Sequence, residues 1–212
     1  MSVIPAAKHE KTAAPFNYWK RLKEVSMFFA GKDEVHKTLR RIVNRLKRVG
    51  IPYAVMGGMA VNAHKYVRTT GDVDLLLTPE GLEEFRRRFV GKNYQPVEGR
   101  PRRFVDRINN VGVDFLVTGR YPGNGTPGPI RFPDPAQVGE LIDKATVINL
   151  PTLVELKLAA RRHRDFGDVV ELIRFNNLDE SFLNRLNPSV RSDYIECLEE
   201  KRRNDEYEAR EG

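Results

Sequence analysis

Residues 57 to 74 of this 212-residue chain run Gly-Gly-Met-Ala-Val-Asn-Ala-His-Lys-Tyr-Val-Arg-Thr-Thr-Gly-Asp-Val-Asp. The order predicts a strand end, a glycine turn, a short helix over Met59 to about Tyr66, a loop, and a second strand from Asp72 to Leu77. Strand side chains alternate between faces, so Asp72 and Asp74 point the same way. Two carboxylates on one face, beside a glycine turn that opens a helix, suit a metal and a triphosphate.

The rest of the chain supports that unit. Asp33 is placed to cap a helix whose apolar positions are Val35, Leu39, Ile42, Val43, Leu46 and Val49, with Gly50 and Pro52 ending it. Tyr53 to Met56 is a short apolar run that suits a buried strand. Pro79 opens a helix with Leu82, Phe85 and Phe89 on its apolar face. Tyr94 to Val97 and Arg103 to Ile108 suit short strands, and Asn109-Asn110 a hairpin turn.

Val111 to Val117 is a third strong strand with one acid, Asp114. A lone carboxylate in an apolar strand needs compensation, and an ion shared with Asp72 and Asp74 would supply it. The Gly- and Pro-rich stretch from Gly119 to Pro135 is read as a loop at the mouth of a site. Ala136 to Ile142 suits a short helix and Ala145 to Leu150 an edge strand. Helices follow from Pro151 onward, one of them starting at Asp165 or Asp168. These elements divide the chain into an N-terminal arm and short helix (1–30), a core (31–150) and a helical C-terminal segment (151–212). Phe16, Tyr18, Trp19, Leu22, Val25, Phe28 and Phe29 would pack the short helix on the core, with a partner surface as the alternative.

The net charge of +7 permits contact with a polyanion, and basic residues cluster before Gly50 and between Arg86 and Arg107. The plainer reading of Arg86 to Arg88 is a solvated helix face. The single cysteine, Cys197, excludes an internal disulfide and fits a reducing cytoplasm. No apolar run reaches the roughly 20 residues that span a bilayer, so no membrane partner is expected.

Gly57, Gly58, Ala60, His64, Arg68, Thr70, Asp72 and Asp74, with Asp114 on a later strand, resemble the nucleotidyltransferase domain of the DNA polymerase β superfamily. The likeness is closer to small prokaryotic AbiEii-type toxin nucleotidyltransferases and their uncharacterised relatives. It extends downstream to Lys157, Arg161, Arg164, Asp165 and Asp168. It implies an α+β nucleotidyltransferase fold, a small mixed sheet flanked by helices with a helical C-terminal segment.

It also implies an enzyme that moves a nucleoside monophosphate from an NTP, ATP included, to a hydroxyl of a tRNA, a protein or a small molecule. Mg²⁺, or Mn²⁺ in its place, would sit on Asp72, Asp74 and Asp114, with Asp114 helping to deprotonate the acceptor. Gly57, Gly58, Arg68 and Lys157 would contact the nucleotide. The partners implied are the NTP, RNA, and a cognate toxin or antitoxin. The family's widespread Gly-Ser turn is Gly-Gly here, so no hydroxyl assists the phosphates at that point.

Residue by residue, alternatives stay open. Arg68 binds phosphate, or pairs with Asp72 or Asp74. Lys157 contacts the nucleotide or lies on a solvated face. His64 suits helix packing better than catalysis. Asp165 and Asp168 suit a helix junction held through Arg161 or Arg164. The competing function is a non-catalytic module of the same fold, acting as an antitoxin-like or RNA-binding partner.

Overall fold

A computed structural model describes residues 18–211, with side chains from residue 23 onward. The expected arm over residues 1 to about 15 and Phe16 lie outside these residues, as do the side chains of Tyr18, Trp19 and Leu22. The expected short helix is α1 (Tyr18–Phe29), and Phe28 docks it, buried and edge-on to His36, whereas Val25 and Phe29, expected to pack with it, lie on the exposed side of the helix. In α2 (Glu34–Arg48), Asp33 caps the amides of Val35 and His36 as expected. Ile42, Val43 and Leu46 form its buried stripe.

The remaining elements are β1 (Ala54–Val55), α3 (Gly57–Ala63), β2 (Asp72–Leu77), α4 (Pro79–Phe89), β3 (Tyr94–Val97), β4 (Arg100–Asp106), β5 (Val111–Val117), α5 (Pro135–Val138), β6 (Gly139–Ile142), β7 (Ala145–Ile148), α6 (Leu150–Ala160), α7 (His163–Asn176) and α8 (Arg191–Glu211). Two short 3₁₀ turns, Glu180–Arg185 and Pro188–Val190, connect α7 to α8. The strands form one seven-stranded sheet in the order β3-β4-β5-β2-β1-β7-β6. β2 runs parallel to β5 and β1 parallel to β7, while the other neighbours are antiparallel. The chain thus has the mixed sheet, flanking helices and helical C-terminal segment expected of it. Among the described residues no helix is long and apolar enough to cross a membrane.

Alternation along the strands sorts the two faces of the sheet. Val73, Leu75 and Leu77 of β2 and Val111, Val113, Phe115 and Val117 of β5 are buried, and α2 and α4 pack on these strands. Phe85 of α4 centres an aromatic cluster there, its ring 4.6 Å from Phe115 and 5.0 Å from Tyr94. Asp72, Asp74 and Asp114 take the opposite phase of the same strands.

Three elements differ from the sequence reading. Gly57 and Gly58 do not precede the helix but form the first turn of α3. Ala136 to Ile142 is one helical turn followed by β6, which hairpins onto β7, so β7 is interior and β6 is the edge. The left-handed residues Asp143 and Lys144 make that turn, without the glycine that marks most such hairpins. Asp165 and Asp168 lie within α7, which starts at His163.

Candidate active site

Register builds the acidic cluster. Asp74 of β2 lies directly opposite Asp114 of β5, and Asp72 lies opposite Gly112. Directly paired residues share a sheet face, so the three carboxylates stand together. They line a cleft of about 1060 Å³ that also meets Gly57, Gly58, Arg68, Lys157 and residues from Gly119 to Gly125. All seven residues singled out in the sequence therefore border one cavity, and the Gly-Pro loop lies along its wall as expected.

The glycines make room for Asp74 and for Thr70. Gly57 is left-handed (φ 58°), and a Cβ there would stand 1.9 Å from Asp74 Oδ2. A Cβ on Gly58 would stand 2.7 Å from that of Thr70. The backbone of α3 can lie against β2 only because both side chains are missing.

Asp74 accepts no hydrogen bond from the described side chains. Burial, then the charges of Asp114 and Asp72, push its pKa up from 3.8 to about 6, while Lys157 and Arg162 pull against them. Asp114 is also raised, chiefly by burial, with Arg103 opposing. Burial is the larger cause, and the two neighbouring acids add to it, so Asp74 gives up its proton later than an ordinary carboxylate does.

Arg103 of β4 supplies compensation at the other end of the cluster. It pairs in register with Asp114. One guanidinium nitrogen donates to Asp114 Oδ2 and the other to Asp72 Oδ1, at 3.0 Å for the latter. The sequence reading left Arg103 in a diffuse basic cluster. The signal was the hairpin itself: Asp106 pairs with Val111, so three residues back along β4 meets three residues forward along β5, Arg103 with Asp114.

Arg68 borders the cleft but pairs with neither Asp72 nor Asp74. It forms a bidentate pair with Asp168 of α7, Nε–Oδ1 2.6 Å and Nη2–Oδ2 2.7 Å. Lys157 of α6 is buried rather than solvated, and donates to Asp168 Oδ2 at 2.6 Å and Asp165 Oδ1 at 3.0 Å. Asp165 and Asp168, three apart on one helix face, receive it together. Arg162 completes the network on Asp165 at 2.5 Å. Burial alone would raise Asp168, but the hydrogen bonds from Arg68 and the charge of Lys157 outweigh it and hold its pKa below the usual range.

The expected helix-junction role of Asp165 and Asp168 is therefore met by different partners, Lys157, Arg68 and Arg162. Arg161 turns instead to Asp193 of α8, and Arg164 has no ion pair among the described residues. His64 packs: it is buried at the end of α3, its Nε2 2.7 Å from the carbonyl of Ile148. Arg86, Arg87 and Arg88 pair with Glu83 and Glu84 along the exposed face of α4, as a solvated helix surface does.

The donor set, three carboxylates and no nitrogen or sulfur, is chemically suited to a hard divalent cation. The under-compensated charge on Asp74 points the same way. As arranged, however, no three acidic, His or Cys side chains among the described residues converge on one point. Arg103 spans the space between Asp72 and Asp114.

No family model matches the chain, and no curated protein matches it. Among solved structures it is similar to a candidate nucleotidyltransferase from Thermotoga maritima, at 18% identity over 66% of this chain and 89% of that one, with a TM-score of 0.41. It is also similar to a candidate nucleotidyltransferase from H. pylori, at 15% identity over 75% and 79% of the two chains, with a TM-score of 0.42. A third similar structure is an antigenic nucleotidyltransferase-like protein from Paracoccidioides brasiliensis, at 16% identity over 66% and 76%, with a TM-score of 0.45.

Proposed function

We propose that the cleft transfers a nucleoside monophosphate from an NTP to an acceptor hydroxyl, with release of pyrophosphate. The observation that carries this reading is the in-register pairing of Asp74 with Asp114 above a glycine turn shaped around Asp74. The acceptor oxygen attacks the α-phosphorus, the bond to the β-phosphate oxygen breaks, and the hydroxyl proton passes to Asp114. A divalent ion on Asp72, Asp74 and Asp114, Mg²⁺ by its oxygen donors or Mn²⁺ in its place, would neutralise charge that develops on the phosphates.

The remaining groups bind and orient. The first turn of α3 lets backbone amides approach phosphate oxygens without side-chain interference. Lys157 faces the cleft from its buried network and adds fixed positive charge. Arg102, Arg120 and Arg164 line the cleft without an ion pair among the described residues, which suits them to phosphates of the nucleotide or of an RNA acceptor. Tyr121 at the wall offers a ring for a base.

The test is incubation with each labelled NTP, Mg²⁺ and total cellular RNA. Label moves to an acceptor, and Asp72→Ala with Asp74→Ala abolishes the movement. Unchanged transfer by that double variant overturns the mechanism. A second reading, a binding module of this fold without chemistry, is favoured by one observation, the failure of the three acids to converge. It requires that nucleotide binding, read by calorimetry, be indifferent to Mg²⁺.

A further inference from the structure

Arg103 is the cation that ion-pairs with the cluster acids among the described residues, and its placement is built in. The β4–β5 register fixes its backbone opposite Asp114. Its two terminal nitrogens serve two different carboxylates, so the planar fork holds both acids from separate atoms.

Gly112 is the second observation. It is the second residue of β5, inside a strand that glycine weakens, and its backbone is not left-handed. Space is what it provides. A Cβ there would stand 2.3 Å from Asp72 Oδ1 and 2.6 Å from Arg103 Nη2, so any other residue would separate that pair.

The bridge is also releasable. The side chains of Arg103, Asp72 and Asp114 are 25%, 42% and 30% exposed, and ion pairs with that much water access contribute little net stability. The oxygens that Arg103 holds belong to the same two acids that a divalent ion would need, and the cleft wall beside it carries Arg100 and Arg102.

We propose that Arg103 competes with a divalent cation for Asp72 and Asp114, and that its guanidinium turns onto the substrate phosphates once the cation holds the acids. The proposal rests on the nucleotidyl-transfer reading of the cleft. It makes Arg103 a positioning residue with two alternative partners: the acids of the empty cleft, and the polyphosphate of the filled one.

The test titrates Mn²⁺ into the wild-type chain, Arg103→Met and Arg103→Lys, first alone and then with a non-hydrolysable α,β-methylene NTP. If the bridge is closed about nine-tenths of the time, its removal tightens Mn²⁺ binding about 10-fold. Arg103→Met then binds Mn²⁺ about 10-fold more tightly than wild type, yet binds the analogue about 10-fold more weakly in its presence. Arg103→Lys falls between the two, and carries the test alone if Arg103→Met fails to fold by circular dichroism. Unchanged or weaker Mn²⁺ binding by both variants, with the wild type still binding Mn²⁺ and the analogue, overturns the role of Arg103 and leaves the transferase reading standing. Mn²⁺ binding to none of the three proteins overturns both.

Discussion

Asp74 and Gly57 occupy what would be one volume: a Cβ on Gly57 would lie 1.9 Å from Asp74 Oδ2. The acid at the centre of the cluster is thus seated against the first turn of a helix. Any side chain at position 57 must move either the helix or the carboxylate.

Gly57→Ala accordingly strains the backbone at φ 58° and displaces Asp74. We expect a loss of about 1–3 kcal/mol in urea unfolding, together with a fall in transfer activity of at least about 100-fold, since misplacement of a reacting group by about 1 Å has that effect. A variant with full stability and full activity contradicts the packing described.

The raised pKa of Asp74 predicts a pH dependence of stability. Between 3.8 and about 6 the folded chain holds a proton on Asp74 that the unfolded chain has released. Metal-free protein therefore loses stability as pH rises through that window. The shift corresponds to about 2 kcal/mol after allowance for partial solvent access. Asp74→Asn should remove this slope and be more stable than wild type at pH 7.5 by about that amount, measured by urea unfolding in EDTA at pH 4 and 7.5. A variant less stable than wild type at pH 7.5 contradicts it.

Asp168 carries the opposite sign. Its depressed pKa gives stability that is present above the usual carboxylate range and lost as pH falls through the folded value. Arg68→Ala removes the bidentate half of the compensation and leaves Asp168 to Lys157 alone, and should cost about 2 kcal/mol at pH 7, the scale of a lost hydrogen bond to a charged group. The difference from wild type should shrink in unfolding measured at pH 3. Retention of the full difference there would show that Arg68 acts through packing alone.

Gly123 anchors the cleft wall. It is left-handed (φ 67°), and a Cβ would stand 2.7 Å from the carbonyl oxygen of Ala160 at the end of α6. Gly123→Ala should lift the loop from α6. Because the loop lies outside the sheet core, the expected signature is a several-fold rise in KM for the NTP with a melting temperature within about 4 °C of wild type. An unchanged KM would mean that the loop does not shape the nucleotide site.

The legibility of the chain follows the range of the interactions. β2, β5 and the shared face of Asp72 and Asp74 were readable because alternation and apolar runs are local signals. Asp114 was found because an acid in an apolar strand is conspicuous. The partner of Arg68 was not readable, since Asp168 lies 100 residues away and only the packing of α7 brings it near. Lys157 was open between solvent and nucleotide because the helix pattern does not reveal two acids on the next helix. Arg103 and Gly112 went unread for a different reason. Each is ordinary in its own strand, and their relationship exists only once the hairpin register is fixed. β6 carries no local hairpin signal, because its turn uses Asp143 and Lys144 in left-handed conformations in place of glycine.

Metal-dependent nucleotidyl transfer in the Asp72–Asp74–Asp114 cleft is the proposal from which the other expectations follow. The most direct measurement is the rate of pyrophosphate release from an NTP in the presence of the acceptor, with Mg²⁺ or with EDTA, for wild type and Asp74→Asn. Release should require Mg²⁺ and fall by at least about 100-fold in Asp74→Asn, since removal of a single electrostatic stabiliser of the transition state costs about that much. Release at the wild-type rate by Asp74→Asn, or undiminished in EDTA, would contradict the proposal.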